Sequence, residues 1–284
     1  MREALDGDTV FADMMMMRQV DSRIVLLVEG EEDTDVVDPH LNEDNCRSEI
    51  GHGKHAVLRA AELVTQNKVS GVLFAVDKDF DDPTKIRLTH RHISVSEYYD
   101  LHSDILINCH ESIKRLTICH TKRDKFKIPP SSGSITTTII EIAGPLGMLR
   151  YWSVKNQIGL NLAKFPSHLL VEASERNSLF DETVHIAYLR STGLTVSETD
   201  MINALKQMAS ANSNLAPFCQ SHDMIDIFSA LIRQRWGGSV GKDYLANALR
   251  ASVAFDCFQR LQIYKDLDEW GQEYGTAIWT ASAA

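Results

Sequence analysis

Two short apolar runs stand out in the first third of the chain. Residues 23–29, RIVLLVE, and residues 71–76, GVLFAV, are rich in branched side chains, show no alternation and are bounded by polar positions. A continuous apolar run of this length predicts a strand buried on both faces, as in a parallel sheet. Between the two runs, Val57, Ala60, Ala61 and Val64 fall on one face of a helix predicted over Ala56 to Gln66. Residues 91–98, RHISVSEY, alternate and predict a third strand, and residues 101–119 predict a helix. Asp81-Asp82-Pro83 predicts a turn. This alternation of strands and helices predicts an α/β layer with a mostly parallel sheet flanked by helices.

The pattern then changes. Residues 122–134 are basic and run into Pro129-Pro130-Ser131-Ser132-Gly133-Ser134, a composition that predicts a linker or exposed loop. Beyond it, 135–151, 197–211, 222–235 and 242–262 carry apolar residues at helical spacing. The expected organisation is an α/β domain over residues 1–125 and a mainly helical domain over 126–284, used for dimerisation or partner docking. The aromatic residues Trp236, Phe255, Phe258 and Trp270 are expected in the core of the helical half or on a docking face.

Composition adds a few exclusions. The formal net charge of -10 argues against a protein that coats nucleic acid regardless of sequence, because phosphate binding needs a basic surface. It leaves room for a local basic patch, a divalent-cation site or a basic partner. The five cysteines are dispersed without a C-x-x-C pair, which points to reduced thiols rather than disulfides or structural zinc. The run Met14 to Met17 lacks a basic flank and is too short for a signal peptide or a membrane span. A cytoplasmic protein without membrane contact is expected.

The chemistry gathers where the two apolar runs end. The first delivers Glu29, followed by Gly30; the second delivers Asp77 and Asp79. Ligands of open parallel sheets collect at the carboxyl ends of the strands. On an extended backbone, Asp77 and Asp79 would point the same way. Three carboxylates meeting there would repel one another, and a hard divalent cation, Mg²⁺ or Mn²⁺, would relieve that repulsion. A cation so held polarises a phosphoryl oxygen, with Glu29 serving as a second metal ligand or as general base.

These residues carry a family resemblance. VLLVEGEEDTD and GVLFAVDKDFDD, separated by a helix, resemble the two signature motifs of Toprim domains, found in topoisomerases, primases and overcoming-lysogenization-defect nucleases. The resemblance spans about residues 23–120 and implies a Rossmann-like Toprim fold, with Glu29, Asp77 and Asp79 as catalytic and metal-binding residues. GHGKHAVLRA, YYDLHSDIL, LGMLRYWSVKNQIGLNL and CQSHDMIDIF are similar to the AriB branch, the effectors of PARIS antiphage defence. That resemblance implies a toxic nuclease held by an AriA-like ABC-type ATPase, which cleaves host tRNA once released, as a homodimer. The branch often has an acidic residue where this chain has His102, which leaves a ligand role there unsupported. The alternatives are a catalytically silent subunit of an ATPase complex and a nuclease that cuts DNA.

Other residues have two readings each. Asp33, Glu97 and Asp100 can complete the acidic cluster, or Asp100 can cap a helix. Lys54 follows Gly51-x-Gly53 and can meet a phosphate at a helix N-terminus, although the spacing is not that of a P-loop. Lys114, Arg115, Lys122, Arg123 and Lys125 form either a nucleic-acid contact or a solvated face. His222 can reach an active site, or it can serve with Asp223 in packing.

Overall fold

The apolar runs fold into adjacent parallel strands. The computed structural model describes residues 6–121 and 132–280. The chain opens with helix α1 (Gly7–Met17), then strand β1 (Ile24–Val28), helix α2 (Glu31–Val37), strand β2 (Cys46–Ile50) and helix α3 (Lys54–Gln66). Strand β3 (Val72–Val76), the short helix α4 (Pro83–Arg87), strand β4 (Ile93–Val95) and helix α5 (Leu101–Asn108) follow. The sheet order is β2-β1-β3-β4 and every neighbouring pair is parallel. The expected α/β layer with helices around a parallel sheet is therefore present.

Register explains the core. Val25 pairs with Val72 and Leu27 with Phe74, while Phe74 pairs with Ile93 and Val76 with Val95. Side chains two apart share a face, so these residues form one apolar surface. Val57, Ala60, Ala61 and Val64 of α3 pack on it with Val10 and Met14 of α1. The small alanines let α3 approach the sheet closely. Leu26 and Leu73 point to the other face and are fully buried.

The chain divides into two compact units, Met1–Asn108 with Val253–Ala284, and Cys109–Ser252. The second unit is helical: α6 (His110–His120), α7 (Ser132–Lys155), α8 (Leu169–Glu175), α9 (Leu179–Arg190), α10 (Glu198–Ala211), α11 (Ser221–Gln234) and α12 (Lys242–Ala251). The chain then returns to the first unit through α13 (Phe255–Phe258) and α14 (Gln262–Tyr274). The expected boundary at 125/126 differs from this division in two ways: the second unit begins earlier, and the last segment rejoins the sheet. Phe258 stacks on His40 at 4.2 Å between centroids, and Asp266 of α14 accepts a hydrogen bond from Ser94 of β4 at 2.9 Å. Trp236 is buried in the second unit, whereas Phe255, Phe258 and Trp270 lie in the first, so the aromatic residues do not form one stripe.

Three expected elements are shorter or broken. The third strand covers only Ile93–Val95 of 91–98, because the backbone N–H groups of Glu97 and Tyr98 turn to the Asp104 carboxylate. The helix over 101–119 breaks at Cys109, whose backbone leaves the helical region. The helix over 242–262 ends at Ala251, and α13 and α14 replace its remainder.

Candidate functional site

Parallel pairing of β1 with β3 sets the two strand ends side by side, so Glu29 emerges next to Asp77. The backbone N–H of Asp77 donates to Glu29 Oε1 at 2.7 Å. Asp77 Oδ1 accepts from the backbone N–H of Leu101, at the start of α5, at 2.9 Å. Asp33, in the first turn of α2, accepts from the Gly30 N–H at 2.9 Å. Asp100 Oδ1 accepts from the Ser103 N–H at 2.6 Å, which is the expected helix-capping geometry. Each carboxylate is thus fixed by a backbone amide at a strand or helix end.

Electrostatics ties the four together. Burial pushes the Glu29 carboxyl up to about 7 against the pull of the Asp77 amide, and the charges of Asp33 and Asp79 add to the rise. Burial also holds Asp77 well above the ordinary carboxylate range, with Asp100, Asp33 and Glu29 as the repelling neighbours. Asp33 is raised in the same way, although His102 opposes the rise. A buried carboxylate surrounded by others lacks compensation for its charge. Beneath them lies a small cavity of about 20 Å³ lined by Val28, Glu29, Asp33, Asp77, Leu101 and Ile263. That volume admits one water-sized guest.

Asp79 departs from expectation. Strand β3 stops at Val76, and Asp79 takes a left-handed φ of 53°, so the extended backbone expected from Asp77 to Asp79 does not form. Its N–H donates to the Tyr99 carbonyl at 2.7 Å, and Oδ2 accepts from Lys54 Nζ at 2.9 Å. Lys54 also pairs with Asp81 at 2.7 Å. Burial lowers the Lys54 ammonium, but bonds to Asp81 and Asp79 outweigh it and hold the group above its ordinary value. The expected phosphate contact is thus occupied by internal aspartates. The loop carrying Lys54 depends on two glycines. A Cβ on Gly51 would collide with Val57 Cγ2 and lie 3.1 Å from the Val28 carbonyl oxygen. Gly53 holds a φ of 103° while its N–H donates to the Glu29 carbonyl at 2.9 Å.

The remaining candidates separate. Glu97 is exposed and its carboxylate accepts from Asn108, so it stands outside the amide-held acidic set. Lys114 and Arg115 are exposed on α6 of the second unit. Lys122, Arg123 and Lys125 lie outside the described residues. His222 is exposed in the first turn of α11, while Asp223 is buried and pairs with Arg150 at 2.8 Å. Asp223 therefore serves the packing of the second unit. Near the acidic rim, Asp104 was not singled out by pattern, and His102 entered only through the family resemblance. Asp104 is fully buried and raised to about 7, chiefly by burial, while holding the Glu97 and Tyr98 amides. His102 is buried and its Nε2 has no hydrogen-bond partner among the described residues. The one available signal was a histidine and an aspartate inside the apolar run 101–107.

The donor set, carboxylate oxygens with uncompensated charge, is the chemistry that a hard cation takes. Among the described residues, no group of three or more His, Cys, Asp or Glu side chains is placed to hold a metal ion. Glu29 and Asp77 adjoin, and Asp79 is engaged by Lys54. Mg²⁺ commonly takes only one or two protein carboxylates and completes its shell with water and phosphate oxygens, so the adjoining pair fits that demand. No helix among the described residues is long and apolar enough to cross a membrane. No family model matches the chain, and no curated protein matches it.

Proposed function

We propose that the acidic rim makes this chain a Mg²⁺- or Mn²⁺-dependent nuclease that hydrolyses phosphodiester bonds in RNA, with tRNA as substrate. The observation that carries this is the half-buried juxtaposition of Glu29 and Asp77 at neighbouring strand ends, joined at 2.7 Å through the Asp77 amide. Two half-buried carboxylates that repel each other call for a cation. Glu29 and Asp77 would hold it, and it would supply electrophilic polarisation of the scissile phosphoryl group. The chain's own residues do the rest. The backbone amides of Asp77 and Leu101 orient Glu29 and Asp77 before substrate arrives. Before a cation binds, burial lets the Glu29 carboxyl keep its proton near neutral pH. Lys54 keeps Asp79 and Asp81 turned aside and offsets their charge beside the acidic rim.

Within the Toprim resemblance, the wider role is that of a toxic antiphage effector. It would be restrained by an AriA-like ABC-type ATPase in the cytoplasm and would act as a homodimer after release. A catalytically silent subunit of the same complex is the second reading, supported by the engagement of Asp79 with Lys54 instead of a metal.

The test is incubation of the purified chain with total tRNA, and separately with DNA, in Mg²⁺ or Mn²⁺, with and without chelator. tRNA fragments that vanish with chelator and in both Glu29→Gln and Asp77→Asn are expected. Cleavage of DNA alone would move the substrate to DNA. Absence of cleavage of either, with the chain freed from its partner, would leave the silent subunit.

A further inference from the structure

The end of the sheet opposite the acidic rim has its own cavity. It opens where the strands begin, at Ile24 of β1, Val72 of β3 and His92 just before β4, and has a volume of about 640 Å³. Strands of this length put it roughly 16 Å from the acidic rim. The volume lies in the range that encloses small organic ligands. Its wall is unusual for this chain. The protein carries 39 acidic residues, yet no aspartate or glutamate is among the described residues lining the cavity.

The lining cations are Lys68 and Arg91, both exposed. Arg18 lies alongside, its guanidinium donating to the Gly71 carbonyl at 2.9 Å. Aromatic rings from α14 form the other wall. Trp270 and Tyr274 stack with centroids 4.5 Å apart, and the Arg91 guanidinium carbon lies 5.6 Å from the Tyr274 ring centre. His92 meets Trp270 edge-on at 5.4 Å. Burial and the Arg91 charge push His92 down to about 4, so at neutral pH it presents an uncharged ring rather than a third cation. Leu88 is 81% exposed and Tyr274 49% exposed, leaving apolar surface at the mouth. The indole Nε1 of Trp270 is buried and has no hydrogen-bond acceptor among the described residues.

A wall with cations, flat rings and no carboxylates selects a ligand that is anionic at one end and flat and weakly polar at the other. We infer that this cavity binds a nucleotide, its base against Tyr274 and Leu88 and its phosphate on Lys68 and Arg91. Aromatic stacking accepts any base because every base has a π face, and guanidinium and ammonium groups supply the phosphate contact. The same chemistry is offered by a free nucleotide and by an unpaired nucleotide of an RNA strand. The site is independent of any cation at the acidic rim.

Calorimetric titration of the full chain with the four nucleoside monophosphates, a pentanucleotide RNA and ribose 5-phosphate tests this. Binding of a monophosphate assigns the site to free nucleotides, and binding of the pentanucleotide alone assigns it to a strand. Either supports the inference if ribose 5-phosphate binds about tenfold more weakly and Tyr274→Ala costs about tenfold. The double change Lys68→Gln with Arg91→Gln is expected to cost at least as much, whereas Glu29→Gln leaves binding unchanged. Should the double variant unfold, the single surface change Lys68→Glu gives the same reading. No binding at millimolar ligand, equal binding of ribose 5-phosphate, or indifference to these substitutions would overturn it. Binding lost in Glu29→Gln would do so too, by moving the ligand to the acidic rim.

Discussion

Glu29 spans two roles because of where its side chain lies. Folding raises its carboxyl from the ordinary value of 4.5 to about 7, chiefly by burial. A carboxyl raised in this way favours folding while protonated. Its contribution is fully present below about pH 4.5 and is lost as pH rises through about 7. Glu29→Gln keeps an oxygen to accept the Asp77 amide but cannot ionise. In metal-free protein the variant is therefore expected to match the wild type near pH 4.5. It should gain on the wild type by on the order of 2 to 3 kcal/mol by about pH 8. Denaturant melts at both pH values measure this, and a pH-independent difference between the two proteins would contradict it. Added Mg²⁺ should close the gap at the higher pH, because a cation restores to the wild type the charge balance that Gln never lacks. Lys54 shows the complementary case. Its charge is kept because Asp79 and Asp81 flank it, a pairing that pattern reading of Gly51-x-Gly53 did not contain.

At the scale of elements, the turn from β2 into α3 governs how closely the acidic rim is drawn together. Gly51→Ala would press a methyl group into Val57 and toward the Val28 carbonyl, one residue before Glu29. A cost of about 1–3 kcal/mol is expected from such overpacking, read as a lower denaturation midpoint, with weaker Mn²⁺ binding alongside. The elements that the sequence announced are those whose burial is two-sided. RIVLLVE and GVLFAV had to be internal strands, and Val57 to Val64 had to be a helix facing them. Strand β2 was not legible because CRSEI pairs along one edge only and is mostly half-buried, so its pattern is polar. Helix α2 is too short for a period to register. The carboxylates at strand ends were visible for the same reason as the strands. What could not be read was the turn beyond Val76, where a left-handed Asp79 redirects one carboxylate to Lys54. Asp104 was hidden because its partners are backbone amides, which no residue pattern displays.

For the whole molecule, the division of the chain is what sequence order obscures most. The sheet unit is assembled from both ends of the chain, with Cys109–Ser252 inserted between them. Helix α14 contributes Ile263 to the cavity under Glu29 and Asp77, and Trp270 and Tyr274 to the cavity at the other end of the sheet. The Asn42 N–H donates to the Ile278 carbonyl at 2.8 Å, and the Thr280 N–H to the His40 carbonyl at 2.8 Å. A chain cut after Ser252 therefore loses buried Phe258, Leu261, Ile263, Leu267 and Trp270 together. Removing five buried apolar side chains, at about 1.5–3 kcal/mol each, is comparable to the whole stability of a domain. The truncated chain is expected to be cleaved by protease within residues 6–108 while the helical unit survives. Protection of both units after truncation would count against this assembly.

This two-ended construction also sets a schedule for synthesis. The carboxylates at 29, 33, 77 and 100 are synthesised before the inserted helical unit, whereas Ile263, which lines the cavity beneath them, is synthesised after it. A nascent chain therefore cannot close the cavity under Glu29 and Asp77 until translation has passed Ile263, so the sheet unit completes its packing only after Cys109–Ser252 has been made.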